Sequence, residues 1–260
     1  MLKDISKYWT SSSDGYDKAV KAQFRSRRTV SMWTSLLNEG LGGREGQTVL
    51  DMGTGPGFFS ILLSKMGHRV TAVDASQGMI ETASRNFKAS GVDVKAYLGD
   101  AARLHAEKDN AFDAVVCRDV VWTLPDPYGA YAEWYRVLKP GGTLIVFDGN
   151  YLYREEPEKP APFNKLWYAL GWTLILLTEL RVRSRSDREK ELLGKLPFVQ
   201  VLRPEADQEA LQRAGFRIQE IRRDFTSGYK MTMQHLKYGY QSERRFMIIA
   251  KKEQRDDHSK

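Results

Sequence analysis

Between residues 48 and 148 the chain alternates short apolar runs with longer stretches in which apolar residues recur every three to four positions. Strand spacing followed by helical spacing is the pattern of βαβ units around a parallel sheet. The runs predict strands at 48–51, 69–74, 94–98, 114–118 and 143–148, and the periodic stretches predict helices at 58–66, 77–88 and 127–138. Right-handed crossovers put those helices on both faces of one sheet. Residues 1–46 read as an N-terminal helical lid.

The alternation breaks after Asp148. Residues 149–203 are rich in Pro, Trp and charge and enclose the apolar stretch LWYALGWTLILL at 166–177, so they read as an insertion with helices of its own, forming a substrate cap. That stretch is shorter than the roughly 20 residues a spanning helix needs. Its Trp and Leu spacing suits a buried or interfacial helix, and a helix packing its apolar face on a core is the reading favoured. A helix at 205–214 and strands at 217–224 and 245–251 then complete the sheet within 204–252. The connection 225–243 is too short and polar for a full crossover helix, so the last strand is expected to enter antiparallel; the charged tail 253–260 is expected to fray. The expected fold is therefore α/β: a doubly wound, seven-stranded, mostly parallel sheet with an antiparallel last strand, an N-terminal helical lid and a helical insertion after the fifth strand.

The segment VLDMGTGPGFFS joins the first strand to the first crossover helix, with Gly53, Gly55 and Gly57 alternating through the turn. Glycine has no Cβ, which permits a sharp turn and close approach of a ligand to the backbone. A glycine triplet alone also fits an ordinary tight turn. Here Asp74 ends the second strand, 23 positions beyond Asp51, where a carboxylate in a doubly wound fold accepts hydrogen bonds from both ribose hydroxyls. The dinucleotide fingerprint G-x-G-x-x-G aims a helix amino end at a pyrophosphate, whereas this loop reads G-x-G-x-G with acidic Asp51 two residues ahead. An acid suits a cationic ligand, and S-adenosylmethionine carries both a sulfonium and an ammonium.

At this point the chain resembles the class I, Rossmann-like S-adenosylmethionine-dependent methyltransferases, the small-molecule group in particular. The matching segments are LDMGTGPGFFS (50–60), VTAVDAS (70–76), GDA (99–101), FDAVVCRD (112–119) and RVLKPGGTLIVFD (136–148). Beyond them only the closing strands are similar. The resemblance implies that 47–148 binds the donor and releases S-adenosyl-L-homocysteine. Gly53, Thr54, Gly55 and Gly57 would line its methionine and ribose portion, and Asp51 would meet the amino group directly or through water. Asp74 would hold the ribose, with Ala75, Ser76 and Met79 beside the adenine and Gly99, Asp100 and Ala101 at its edge. Arg118 would close over the methionine portion with its backbone carbonyl. Taken singly, Asp51 and Asp74 also fit strand-end caps and Asp100 the start of a turn. The Lys139–Gly142 turn, KPGG, is read as structural.

Methyl transfer from a sulfonium is an in-line displacement with an activated donor, so positioning matters most. A general base is needed only where the acceptor must lose a proton. In the family the acceptor pocket is built by the N-terminal segment, the residues after the fourth and fifth strands, and the late insertion. Those regions are aromatic here: Tyr8, Trp9, Tyr16, Trp122, Tyr151, Tyr153, Trp167, Tyr168 and Trp172. Tyr8, Trp9, Trp122, Asn150 and Tyr151 are the substrate-binding candidates, and such a pocket suits an apolar acceptor or a cationic one. Asp119, Asp148, Asn150 and Tyr128 are polar candidates nearby. Tyr16, as a lid residue, His235, as the titratable group of the late connection, and Asp148 are the catalytic candidates.

A net charge of +7 permits an acidic partner such as RNA or an anionic lipid surface, and equally describes a basic solvated surface. Arg181, Arg183, Arg185 and Arg188 alternate with serine and run into Asp187, Glu189, Lys190 and Glu191, the pattern of a mixed-charge helix or loop. No RNA-module motif is found, so a small-molecule acceptor is expected and nucleic acid is not. The rivals are an RNA or protein methyltransferase using the arginine cluster, a nucleotide-binding oxidoreductase, or a non-catalytic adenosine-ligand sensor. The lone Cys117, inside an apolar strand, excludes a disulfide framework and the common zinc patterns. With no signal-peptide pattern at the start, a cytoplasmic location is expected. The apolar insertion serves a homodimer interface as readily as a pocket wall.

Overall fold

The structure, a computed structural model, describes residues 1–151, 162–179, 187–226 and 245–253. Two helices, α1 (Leu2–Arg25) and α2 (Arg27–Gly40), precede the alternation β1 (Thr48–Met52), α3 (Phe58–Lys65), β2 (Arg69–Asp74), α4 (Gln77–Ser90), β3 (Val94–Leu98), β4 (Phe112–Arg118), α5 (Pro127–Val137) and β5 (Leu138–Gly149). Then come α6 (Pro162–Glu179), α7 (Asp187–Gly194), α8 (Glu205–Arg213), β6 (Phe216–Arg223) and β7 (Arg245–Lys252). The seven strands form one sheet in the order β3-β2-β1-β4-β5-β7-β6. β7 enters between β5 and β6, antiparallel to both, and the other neighbours pair in parallel.

The period-two alternation of the strands explains the layers. Leu50, Met52, Val115, Cys117, Leu144 and Val146 point to one face, which α5 and α8 cover through Tyr131, Trp134, Ala210 and Leu211. Val49, Ala114, Val116, Ile145 and Phe147 point to the other, covered by Trp33, Leu36 and Leu37 of α2 and Phe58, Phe59 and Leu62 of α3. Both faces are therefore dry, which is why the central strands read as continuous apolar runs. Cys117 is buried in this core, as its setting implies.

The Lys139–Gly142 turn differs from expectation in one respect, for it lies within β5. Phe112 pairs with Leu138 and Ala114 with Thr143, so the KPGG segment bulges from the ladder before regular pairing starts. β1 leads through β2 to β3 on one side, while β4 and β5 extend the sheet on the other. The crevice at the carboxyl ends of β1 and β4 is the topological switch point at which such sheets bind ligands.

Candidate active site

Asp74 closes β2 at this crevice. Its Oδ2 accepts a hydrogen bond from the Gly55 amide at 2.9 Å and its Oδ1 one from the Ser76 amide at 2.9 Å. Burial pushes the carboxyl up to about 6 against the pull of those two amides, and the Asp51 charge adds to the rise. The glycine turn beside it divides by role. A Cβ on Gly53 would lie 2.3 Å from Val120, and one on Gly57 2.4 Å from Phe87, whereas a Cβ on Gly55 would meet nothing within 4 Å. Gly53 and Gly57 are bare so that the protein can pack. Gly55 borders open space next to an acceptor-rich carboxylate, an arrangement that fits a hydroxyl-bearing sugar.

Of the other predicted donor residues, Asp51 and Ser76 brace this turn and the one after Asp74. Asp51 is buried, and its Oδ2 accepts from Thr54 Oγ1 at 2.7 Å and Ser60 Oγ at 2.6 Å; burial raises its pKa. Ser76 Oγ caps α4 by accepting from the Met79 amide and meets Thr10 Oγ1 at 2.9 Å, while Ser6 Oγ donates to the Ala75 carbonyl at 2.7 Å. α1 thus lies across the turn after Asp74. Asn86 tethers it further, donating to Asp17 Oδ1 and the Pro56 carbonyl. Asp100 Oδ1 accepts from the Ala102 amide at 3.0 Å, so the carboxylate shapes a turn, between Gly99 and buried Ala101. The Arg118 guanidinium donates to Gln23 Oε1 and lies over the rings of Trp33, Phe58 and Phe59.

On the other side of residues 118–122, aromatic rings from distant segments converge. Trp122 lies in a single 3₁₀ turn, Val121–Thr123, with ring centroids 5.4 Å from Tyr151 and 6.3 Å from Trp9. Trp9 in turn meets Tyr8 at 4.9 Å and Tyr16 at 5.5 Å. All these contacts are edge-on, the arrangement favoured by ring quadrupoles. Asp119 stands in the seam between this series and the glycine turn, at φ +59°. It accepts from the Tyr151 hydroxyl and lies 3.8 Å from Arg245. Tyr128 sits elsewhere, on α5 against Phe198 and beneath Arg213.

Asp148 and Asn150 have structural partners. Arg203, fully buried, donates from Nε and Nη2 to Asp207 at 2.7 and 2.6 Å and from Nη2 to Asp148 at 3.1 Å. Tyr131 adds a hydrogen bond to Asp207 at 2.6 Å. Asn150 clips the same residue, donating to the Arg203 carbonyl and accepting from its amide. Burial pushes the Asp148 carboxyl up to about 6 while the Arg203 charge pulls it down. Against burial, which would lower it, the two aspartates hold Arg203 firmly protonated. Sequence reasoning does not single out Arg203, Asp207 or Tyr131; a buried arginine has no local signature, and only Asp207 in the first turn of an amphipathic helix hints at a cap.

His235, Tyr153, Arg181, Arg183 and Arg185 lie outside the described residues, as do the side chains of Trp167, Tyr168 and Arg188. Among the described residues no group of His, Cys, Asp and Glu is placed to hold a metal ion.

A family model for a methyltransferase domain matches residues 50–146. The demethylmenaquinone methyltransferase of Staphylococcus aureus is 31% identical over 210 residues, covering 80% of this chain and 82% of that protein. The ubiquinone biosynthesis O-methyltransferase of Xanthomonas campestris is 35% identical over 101 residues, 39% of this chain and only 42% of that enzyme's length. A SAM-dependent methyltransferase structure from Aquifex aeolicus superposes with a TM-score of 0.58 at 20% identity, over 91% of this chain and 98% of that one; this likeness concerns the fold.

Proposed function

Because the chain belongs to the class I S-adenosylmethionine-dependent methyltransferases, we propose that it moves a methyl group from S-adenosylmethionine to a small-molecule acceptor seated against the Trp9, Trp122 and Tyr151 rings. The observation that carries this reading is the adjacency of two unlike features: an open glycine beside Asp74, and an aromatic series centred on buried Trp122 one short segment away. Val120 and Asp119 form the seam.

Asp74 accepts the ribose hydroxyls, Gly55 lets the sugar approach the backbone, and Asp51, through Thr54 and Ser60, keeps the turn in shape. Ser76, Met79, Asp100 and Ala101 border the adenine, and the Arg118 carbonyl faces the methionine portion. Bound S-adenosylmethionine supplies a methyl group already activated by the sulfonium charge. α1 serves as the lid, held on the turn after Asp74 by Ser6 and Thr10. The chain's contribution is to align donor and acceptor and to exclude water, an effect worth several kcal/mol. The Tyr151 hydroxyl and Asp119 give the aromatic series a polar end. A flat, ring-bearing acceptor matches those walls and agrees with the quinone chemistry in the names of the two relatives.

The test is transfer of label from methyl-labelled S-adenosylmethionine into host extract separated into small-molecule, RNA and protein fractions. Label is expected in the small-molecule fraction with the wild-type chain and is absent with Asp74→Ala. Label in RNA or protein would contradict the acceptor class, and no label in any fraction would contradict methyl transfer.

A further inference from the structure

The helix α6 has its apolar side turned outward. Over its described side chains, Gly171 and Ile175 are buried, while Leu166, Ala169, Leu170, Thr173, Leu176 and Leu177 are exposed. At 100° per residue those six fall in one arc of about 120°. Leu166 and Leu177 are each 69% exposed, and the arc carries no charge. This overturns the expectation that the stretch packs its leucines on a core.

A solvent face of this kind is rare on a protein surface and marks contact with something apolar. α6 has 18 residues, and no described helix is long and apolar enough to cross a membrane. The sequence continues past Glu179 as LRVRSRS, three arginines within seven residues and no acid before Asp187. An uncharged apolar arc followed by clustered cations matches a bilayer interface, where leucines enter the acyl boundary and arginines meet anionic headgroups. Self-association would instead bring together two copies of a chain already at +7.

We propose that the outward face of α6 is a docking surface for an anionic phospholipid bilayer, with Leu166, Leu170 and Leu177 entering the interface of a chain whose net charge is +7. It does not depend on the methyl-transfer reading, although a membrane-dissolved acceptor would be reached from such a position.

Flotation of the full-length chain with phosphatidylcholine vesicles, and with vesicles of equal parts phosphatidylcholine and phosphatidylglycerol, tests it. The double variant Leu170→Glu/Leu177→Glu serves as comparison, since both positions are exposed and the fold does not rely on them. The wild-type chain is expected to float with the anionic vesicles and to be released as salt rises. The variant is expected to bind roughly tenfold or more weakly, with circular dichroism and S-adenosylhomocysteine binding unchanged. Equal flotation with neutral vesicles, equal flotation of the variant, no flotation at all, or a wild-type dimer that the variant converts to monomer would each overturn the proposal, the last assigning the face to a second copy. Loss of S-adenosylhomocysteine binding by the wild-type chain would count against the methyl-donor site and leave this result standing.

Discussion

Two carboxylates at the same edge of the sheet, Asp74 and Asp148, are both pushed up to about 6 by burial, yet they are held in opposite ways. Asp74 leans on the amides of Gly55 and Ser76, and no described cation pairs with it. Asp148 sits against the fully buried Arg203, which Asp207 grips from the other side. The protein completes the second group, and on the proposed reading it leaves the first for a ligand. The difference teaches how a sheet edge is divided between stability and binding. A buried charge with its counter-ion inside supports the fold once formed, whereas one held only by amides recovers its desolvation cost when donors arrive from outside.

Breaking the completed group has the largest expected effect. Arg203→Met leaves Asp148 and Asp207 buried without their cation, and about 3–5 kcal/mol of unfolding free energy should be lost in urea at pH 7. The loss should shrink at pH 5, because Asp148, with its pKa raised to about 6, is then mostly neutral and no longer needs the guanidinium. A loss below about 1 kcal/mol at pH 7 would show that the network does not act as a unit.

The glycine turn sharpens the same comparison on a smaller scale. Gly57 has φ +93°, and a Cβ there would lie 2.4 Å from Phe87, while Gly55 has φ +54° and open space. Gly57→Ala should lower stability by about 2–3 kcal/mol through strain and overpacking. Gly55→Ala should cost only about 1 kcal/mol but weaken S-adenosylhomocysteine binding roughly tenfold. Thermal unfolding with and without that ligand separates the two; equal ligand affinity in both variants would remove Gly55 from the donor site.

The two halves of the site also differ in how far they could be read in advance. The proposed donor half is local: a strand, a turn and a helix start within residues 48–60, and a strand end at Asp74, each written in apolar periodicity and glycine spacing. The seven strands follow from the same apolar runs, and the antiparallel entry of β7 from a connection too short and polar for a full crossover helix. The proposed acceptor half is assembled across the chain. Trp9 meets Trp122, Asn150 meets the Arg203 backbone, and Asp148 meets Arg203 55 residues away. Nothing near Asp148 signals that its partner is a buried arginine, and Asp119 stands beside Tyr151 only because β5 ends where it does. The outward leucines of α6 were equally illegible, because helical spacing shows that one face is apolar without showing which way it points.

Calorimetric titration of S-adenosylhomocysteine into the wild-type chain and Asp74→Ala, repeated between pH 7.5 and about 5, tests most directly that Asp74 is the group left for the donor. On the proposed reading, binding requires the ionised carboxylate, whose pKa is raised to about 6 in the ligand-free chain. Wild-type affinity is therefore expected to be flat above pH 6 and to fall toward tenfold per unit below it. Asp74→Ala should bind roughly a hundredfold more weakly at pH 7.5, the loss of two charge-assisted hydrogen bonds, and show no such pH limb. A variant that binds within about threefold of the wild type, or a wild-type affinity indifferent to pH across 6, would contradict the account.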